Sequence, residues 1–187
     1  MLPILIDGPA VEPIGLAEMR AHLRVDHDAE DELIAGLVRA ARLIVEASSR
    51  RILVASRWRI LLDRWPSGRI LHLPLSPLLA VERIAVATAP GQEVEVPAQA
   101  IAADPASDPP RILIGAEAPE PGIPRAGIAV ELVAGYGAAA QSVPEPLRLA
   151  VKILVARWFE NRGDIAGEQI LPPDALALLT PFRRARL

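Results

Sequence analysis

The run between Asp26 and Glu32 is the densest group of side chains that could do chemistry here, with five carboxylates in seven positions. Alternating carboxylates can hold Ca²⁺, and a metal-dependent enzyme built on this run stays open as one alternative. An EF-hand loop needs glycine at its sixth position, and counted from Asp26 that position is Asp31. The run is better explained as a helix start, where the helix dipole stabilises carboxylates. We therefore predict a helix with Asp28 as its N-cap and Asp31 at position N3.

Other residue types with catalytic potential lack the partners that catalysis requires. His22, His27 and His72 are not spaced as metal ligands, and a general base needs an orienting partner, for which His27 has only its flanking aspartates. The sequence has no GxSxG elbow, no phosphate-binding loop and no cysteine, which excludes disulfides and thiolate chemistry. Gly135 and Gly137 predict a tight strand-to-helix connection. We therefore expect neither catalysis nor a cofactor or resident metal.

The charge balance argues against a general DNA-binding protein. Twenty basic and 23 acidic side chains give a formal net charge of −3, whereas affinity for nucleic acid comes mainly from neutralising phosphates. A DNA-binding regulator remains the second alternative, with a basic face formed by Arg39, Arg42, Arg50, Arg51, Arg57 and Arg59.

The N-terminus has no positively charged leader typical of a signal peptide, and no apolar run is long enough to predict a membrane span.

Residues 13–50 have the periodicity of helices. Leu16, Met19 and Leu23 share one face of a first helix. A break at residues 25–27 precedes an amphipathic helix of about five turns. Its predicted apolar stripe comprises Leu33, Leu37, Ala41, Ile44 and Val45, widened by Ile34 and Val38. Ser48 and Ser49 are predicted to mark its exit.

In residues 51–135 the spacing of apolar residues changes to the two-residue repeat of strands. Trp58, Ile60 and Leu62 alternate with charged residues, and further short strands are predicted at 69–73, 81–86, 93–96, 98–102, 111–114 and 128–134. Ten of the 19 prolines fall between Pro74 and Pro124 and divide this part into short pieces. Pro90-Gly91 predicts a turn, and residues 115–127 predict an exposed loop. The pattern favours a small antiparallel sheet or barrel.

The C-terminal part is again helical. Pro144 and Pro146 suit a helix start, and Gly163 suits a C-terminal cap. The predicted stripe contains Leu147, Val151, Leu154, Val155, Trp158 and Phe159, with the two aromatic residues packed in the core. A short helix is expected from Asp174 to Leu179, stopped by Pro181 and followed by a basic tail.

These patterns together predict an α+β fold. Burial of the apolar stripes at both chain ends requires that the terminal helices pack together. We therefore predict a small helical bundle from residues 1–50 and 136–187, with residues 51–135 as an inserted antiparallel β subdomain.

In its order of segments the chain resembles the head–tail connector, or adaptor, family of siphophages, prophages and gene transfer agents. The resemblance covers about residues 14–180. It is carried by residues 16–26, the acidic run 28–32, residues 48–50, 57–65, 74–84, 133–137, 143–147 and 158–162. Residues 103–127, rich in proline and alanine, depart from the family pattern.

The resemblance implies a structural subunit in the neck of a virion or phage-like particle, synthesised in the bacterial cytoplasm and without enzymatic activity. It implies a ring of about twelve copies between the portal protein and a tail-side completion or stopper protein. Double-stranded DNA would pass through the ring without sequence-specific binding, and no membrane partner is expected. In related adaptors the C-terminal segment reaches the portal, which makes the candidate portal-contact residues Pro181, Phe182, Arg183, Arg184 and Arg186.

Overall fold

The computed structural model describes residues 2–161 and 171–183, and the chain forms two compact units. The β unit comprises Met1–Gly8 and Ala55–Gly135, and the helical unit comprises Pro9–Val54 and Tyr136–Leu187. The helices of the helical unit are α1 (Leu16–Leu23), α2 (Asp31–Ser49), α3 (Glu145–Glu160) and α4 (Pro173–Leu179). The strands of the β unit are β1 (Pro3–Asp7), β2 (Ser56–Leu62), β3 (Ile70–His72), β4 (Leu78–Ala89), β5 (Gln92–Glu95), β6 (Ile101–Asp104), β7 (Arg111–Ile114) and β8 (Ile128–Ala134). The predicted α+β class is therefore confirmed.

Helix α2 has the predicted five turns, but its start and its buried face differ from the prediction. The N-cap residue is Glu30, whose side chain makes no capping hydrogen bond, so the assignment of Asp28 as N-cap was wrong. The Asp28 carbonyl instead accepts a hydrogen bond from the Asp31 N–H at 3.1 Å, which forms a turn before the helix. The fully buried side is centred on Ile34, Val38, Ala41 and Val45.

The core of the helical unit lies among all four of its described helices. From α3 it receives Leu147, Ala150, Val151, Leu154 and Val155. Trp158 and Phe159 are half-buried and pack against this core, as predicted. α3 ends at Glu160, where the Asn161 side chain and backbone both donate to the Arg157 carbonyl. The predicted cap at Gly163 lies outside the described residues.

Helix α4 confirms the predicted short C-terminal helix. Ala175 and Leu179 are its buried residues, and they join the core of the helical unit. Thr180–Phe182 then form one 3-10 turn, so the α-helix ends just before Pro181, as expected. Within the described residues, no helix has the length and apolar content needed to cross a bilayer.

The β unit contains two antiparallel sheets. The larger has the strand order β1-β2-β8-β4-β5, and the smaller has the order β3-β7-β6. In the larger sheet Ile60, Val130 and Ile84 lie in register on three neighbouring strands, and all three are fully buried. Period-2 burial along β8 matches the alternation in its sequence. Glu131, the charged residue of β8, therefore lies on the opposite face of the sheet.

Two local assignments from the sequence differ from the structure. Residues 1–8 fall in the part predicted to be helical, yet β1 pairs antiparallel with β2 and forms an edge of the larger sheet. A run of three apolar residues after Pro3 has no alternation that would identify it as an edge strand. The predicted strand 98–102 is instead a 3-10 turn at Ala98–Ala100, followed by β6.

The predicted glycine turns are present. Gly91 has φ +74° between β4 and β5, and Gly135 has φ +137° directly after β8. Residues 115–127 form no strand, as predicted, but the loop is fixed to the rest of the β unit. The Trp65 indole donates to the Pro119 carbonyl at 2.9 Å, and the Arg69 guanidinium donates to the Gly115 and Ala118 carbonyls at 2.8 and 3.1 Å.

Candidate assembly surfaces

The C-terminal segment, the candidate portal contact, is anchored on the helical unit up to Arg183. Pro181 and Arg183 are exposed, whereas Phe182 is half-buried against the helical core. The Phe182 carbonyl accepts a hydrogen bond from Arg51 Nε at 3.1 Å. Arg184 and Arg186 lie outside the described residues. The phenyl ring of Phe182 therefore stabilises this chain's own fold, and the exposed candidates are its neighbours.

A cluster of charged side chains fixes the segment before α1 onto α3. Arg148 is buried, and its guanidinium donates to the Pro13 carbonyl at 3.1 Å and to both carboxylate oxygens of Glu18 at 2.7 and 2.8 Å. It also pairs with Glu145, while Lys152 Nζ lies 2.6 Å from Glu18. Burial opposes ionisation of Glu18, but the hydrogen bond from Lys152 and the charge of Arg148 outweigh it and lower the pKa of Glu18.

A second cluster fixes the exit of α2. Glu46 accepts a hydrogen bond from the Leu53 N–H at 2.9 Å and pairs with Arg42 at 3.0 Å. Arg42 also reaches Glu12 at 2.8 Å, which ties the N-terminal segment to α2. Burial raises the pKa of Glu46, and the Leu53 and Arg42 hydrogen bonds offset this only in part.

The outer face of the larger sheet carries a ladder of ion pairs. Arg57 on β2 pairs with Asp7 on β1 and with Glu82 on β4, both at 2.8 Å. Arg59 pairs with Glu131 at 2.7 Å. Arg83 on β4 pairs with both Glu93 and Glu95 on β5. The three arginines of this ladder thus face five carboxylates, so the charges of the arginines are already compensated within the β unit.

The ladder weakens the DNA-binding alternative. Of the six arginines proposed for a basic face, Arg57 and Arg59 belong to the β unit and are paired with carboxylates. The other four belong to the helical unit, where Arg42 is paired with two glutamates and Arg51 donates to the Phe182 carbonyl. Four of the six are therefore already engaged within the chain.

The carboxylates of the acidic run and the three histidines do not form a metal-binding group among the described residues. Asp31 lies near Arg20, with 3.4 Å between Arg20 Nη1 and Asp31 Oδ1. His22, His27 and His72 are all exposed and lie on α1, on the segment after it and on β3. Within residues 2–161 and 171–183, no group of three or more histidine, aspartate or glutamate side chains is arranged to hold a metal ion. The geometry thus offers no support for the metal-dependent alternative.

One surface was missed by the sequence analysis, because α2 has a second apolar face. Leu33, assigned to the core stripe, has 41% of its surface exposed, and Leu43 has 56% exposed. Ala40 and Ala47 on the same side are also exposed. On a helical wheel with 3.6 residues per turn, these exposed residues lie on a different side of α2 from Ile34 and Val38. The charged side chains Arg39, Arg42 and Glu46 lie in a strip between the two faces.

The comparisons with known proteins identify the class. No family model matches the sequence, and no curated protein matches it either. Among solved structures, a chain in the neck of an empty gene transfer agent particle, computed with C6 symmetry, superimposes with a TM-score of 0.83 and 30% identity. The alignment covers 100% of this chain and 97% of that chain.

Two further structures show the same similarity. One is the virion of a native gene transfer agent particle, with a TM-score of 0.83 and 28% identity. The other is the neck of a native particle computed with C12 symmetry, with a TM-score of 0.82 and 28% identity. In both, the alignment covers 100% of this chain and 97% of the other.

Fold and comparisons together define a structural protein of the virion neck. The chain belongs to the head–tail connector family of phages and gene transfer agents, whose place is the neck region of the particle, and this confirms the resemblance seen in the sequence.

Proposed function

We propose that this protein is the adaptor subunit that forms a ring between the portal and the tail, and that it performs no catalysis. The observation that carries the proposal is the match over the full chain, at 30% identity, to a chain in a gene transfer agent neck. Such necks are described with C6 and with C12 symmetry, and cyclic symmetry of this kind favours a closed ring of about twelve copies. The partners would be the portal, a tail-side completion or stopper protein and neighbouring copies.

The electrostatics of the β unit agree with passage of DNA through such a ring. A surface on which five carboxylates neutralise three arginines offers little net attraction to phosphates. Double-stranded DNA would then slide past without being held. Weak, salt-insensitive binding of a DNA duplex to the purified protein is expected, and strong salt-sensitive binding would favour the regulator alternative instead.

The C-terminal segment is proposed to contact the portal through Pro181, Arg183, Arg184 and Arg186, with Phe182 acting as the anchor of the segment. Because Phe182 packs on the helical core, deletion of residues 181–187 would remove an internal contact as well as the surface. Removal of residues 184–187 alone keeps Phe182 and is the cleaner test.

The test is electron microscopy of the purified protein mixed with the portal of its own particle. Rings stacked on portals are expected for the full chain, and absence of rings would contradict the adaptor role. The chain lacking residues 184–187, and separately Arg183→Ala, should dock less, while full docking of both would refute the portal assignment. Retention of the thermal melting temperature serves as the control for folding.

A further inference from the structure

The outer apolar face of α2 consists of Leu33, Gly36, Ala40, Leu43 and Ala47. These five positions fall within an arc of about 80° on a helical wheel, and none is charged. Both leucines are exposed, at 41% and 56%. A helix that is apolar on two sides is normally covered on both. Nothing in the described part of the chain covers this one enough to bury its leucines, so the face is suited to an external partner.

Gly36 supplies an independent reason for a partner. Glycine in the interior of a helix makes the helix less stable than alanine would, by about 1 kcal/mol. A Cβ added at Gly36 would meet, among the described residues, one side-chain atom of Arg39 at 4.0 Å. Neither the packing of the chain nor a left-handed backbone therefore requires glycine there. Close approach of a second helix, for which a small residue leaves room, accounts for it.

The chain also carries an apolar surface that could cover this face. The outer face of α3 contains Leu149 and Ala156, and Leu149 is 42% exposed. These positions lie on the far side of α3 from the buried residues Leu147 and Leu154. The two helices thus each present an apolar face that points away from their own core side.

Charge at the edges of the two faces is complementary. Arg39 flanks the outer face of α2, and Glu160 continues the outer face of α3. Both side chains are exposed. Opposite charges beside two apolar faces favour one mutual orientation and disfavour pairing of either face with its own copy.

We propose that the outer face of α2 of one copy docks on the outer face of α3 of the next copy. A ring closes through heterologous contacts, in which two different surfaces of each subunit meet. The two faces supply such a pair, and both belong to the helical unit. This inference rests on the ring proposed above and names the contact that holds neighbouring copies together.

The absence of cysteine from the sequence makes cross-linking a direct test. In the assembled ring, the double variant Leu43→Cys/Leu149→Cys treated with a short bismaleimide should give a ladder of covalent multimers. Either single variant should give no covalent dimer, because like faces do not meet. The control pair Leu43→Cys/Leu113→Cys uses a leucine of β7 that is 41% exposed. A ladder no stronger in the first pair than in this control would overturn the proposal.

A second measurement separates this contact from the ring itself. Leu43→Glu should reduce the number of rings on portals at least tenfold, while Leu113→Glu should leave it unchanged, with both variants melting as folded proteins. If the wild type forms rings on portals and Leu43→Glu forms as many, the α2–α3 contact is overturned and the adaptor role remains intact. Absence of rings from the wild-type protein would overturn both.

Discussion

Arg148 donates a hydrogen bond from Nε to the carbonyl oxygen of Pro13 at 3.1 Å, across 135 positions of sequence. The same guanidinium holds Glu18 with two hydrogen bonds. A single buried side chain of α3 thereby fixes both the segment that enters α1 and the first turn of α1. Together with the burial of Ile14 and Met19, this contact holds α1 on the helical core.

Replacement of Arg148 by methionine should therefore destabilise the helical unit. The variant keeps much of the apolar stem and loses hydrogen bonds to a carbonyl and to carboxylates. Since Glu18 is partly exposed, we expect a loss of about 2 kcal/mol in the free energy of unfolding. Urea denaturation followed by helical circular dichroism measures it. Arg157→Met, at an exposed position of the same helix, is the control and should change stability by less than about 0.5 kcal/mol. Equal losses in the two variants would contradict the role of the cluster.

Glu18 should give the protein an acid-side loss of stability. Its folded pKa lies below the ordinary value of 4.5, so its contribution is present above that value and is lost as the pH falls through the folded pKa. The wild type should therefore exceed Glu18→Gln in free energy of unfolding at neutral pH, by about 1 kcal/mol given the exposure of the carboxylate. The difference should shrink below pH 4.5. A difference that does not vary with pH would contradict a lowered pKa of Glu18 in the folded state.

Glu46 should show the opposite sign. Burial raises its folded pKa above 4.5, so its contribution is fully present below that value and declines as the pH rises through the folded pKa. The free energy of unfolding of the wild type, relative to that of Glu46→Gln, should thus decrease as the pH rises above 4.5. Denaturation curves at several pH values measure this trend. A trend in the same direction as that of Glu18 would show that the Leu53 and Arg42 contacts dominate over burial.

Periodicity was sufficient to predict the elements that bury one clear face. Residues 111–114 and 128–134 were assigned as strands with the bounds that β7 and β8 have. Apolar and polar positions alternate in these segments, or turn residues mark their ends. The five turns of α2 followed from a repeat of 3.6 residues. Gly135 could be assigned to the strand-to-helix connection because glycine readily adopts a positive φ, and the structure has φ +137° there.

The remainder depends on contacts that no local pattern encodes. β1 is a strand because β2 pairs with it 50 or more positions later, and Glu18 is held by a residue 130 positions away. Leu33 was assigned to the core because α2 has two adjacent apolar faces. A sequence shows that both faces are apolar, but only packing decides which one α3 covers. The candidate assembly surface was therefore the feature least accessible to sequence reasoning.

Gly122 should be intolerant of a side chain, because the loop at residues 115–127 lies close to β4. Its N–H donates to the Ala87 carbonyl at 2.9 Å, and an added Cβ would lie 1.8 Å from the Thr88 carbonyl oxygen. Since backbone atoms cannot yield as a flexible side chain would, Gly122→Ala should destabilise the β unit by about 1–3 kcal/mol. Gly8→Ala is the control, since an added Cβ there meets no described atom within 4 Å. Thermal melting of the two variants compares them, and equal melting temperatures would contradict the close approach.

Phe182→Ala tests whether the C-terminal segment is anchored as an integral part of the helical unit. Truncation of a fully buried phenylalanine costs about 3–5 kcal/mol, and Phe182 is half-buried, so we expect about 2 kcal/mol in the free energy of unfolding. Arg183→Ala, next to it and exposed, should change stability by less than about 0.5 kcal/mol. Urea denaturation of both variants measures the contrast. If the contrast is found, loss of portal docking in Arg183→Ala would reflect a lost surface contact, whereas loss in Phe182→Ala would reflect release of the segment from its anchor. Equal stability of the two variants would mean that Phe182 does not hold the segment in place.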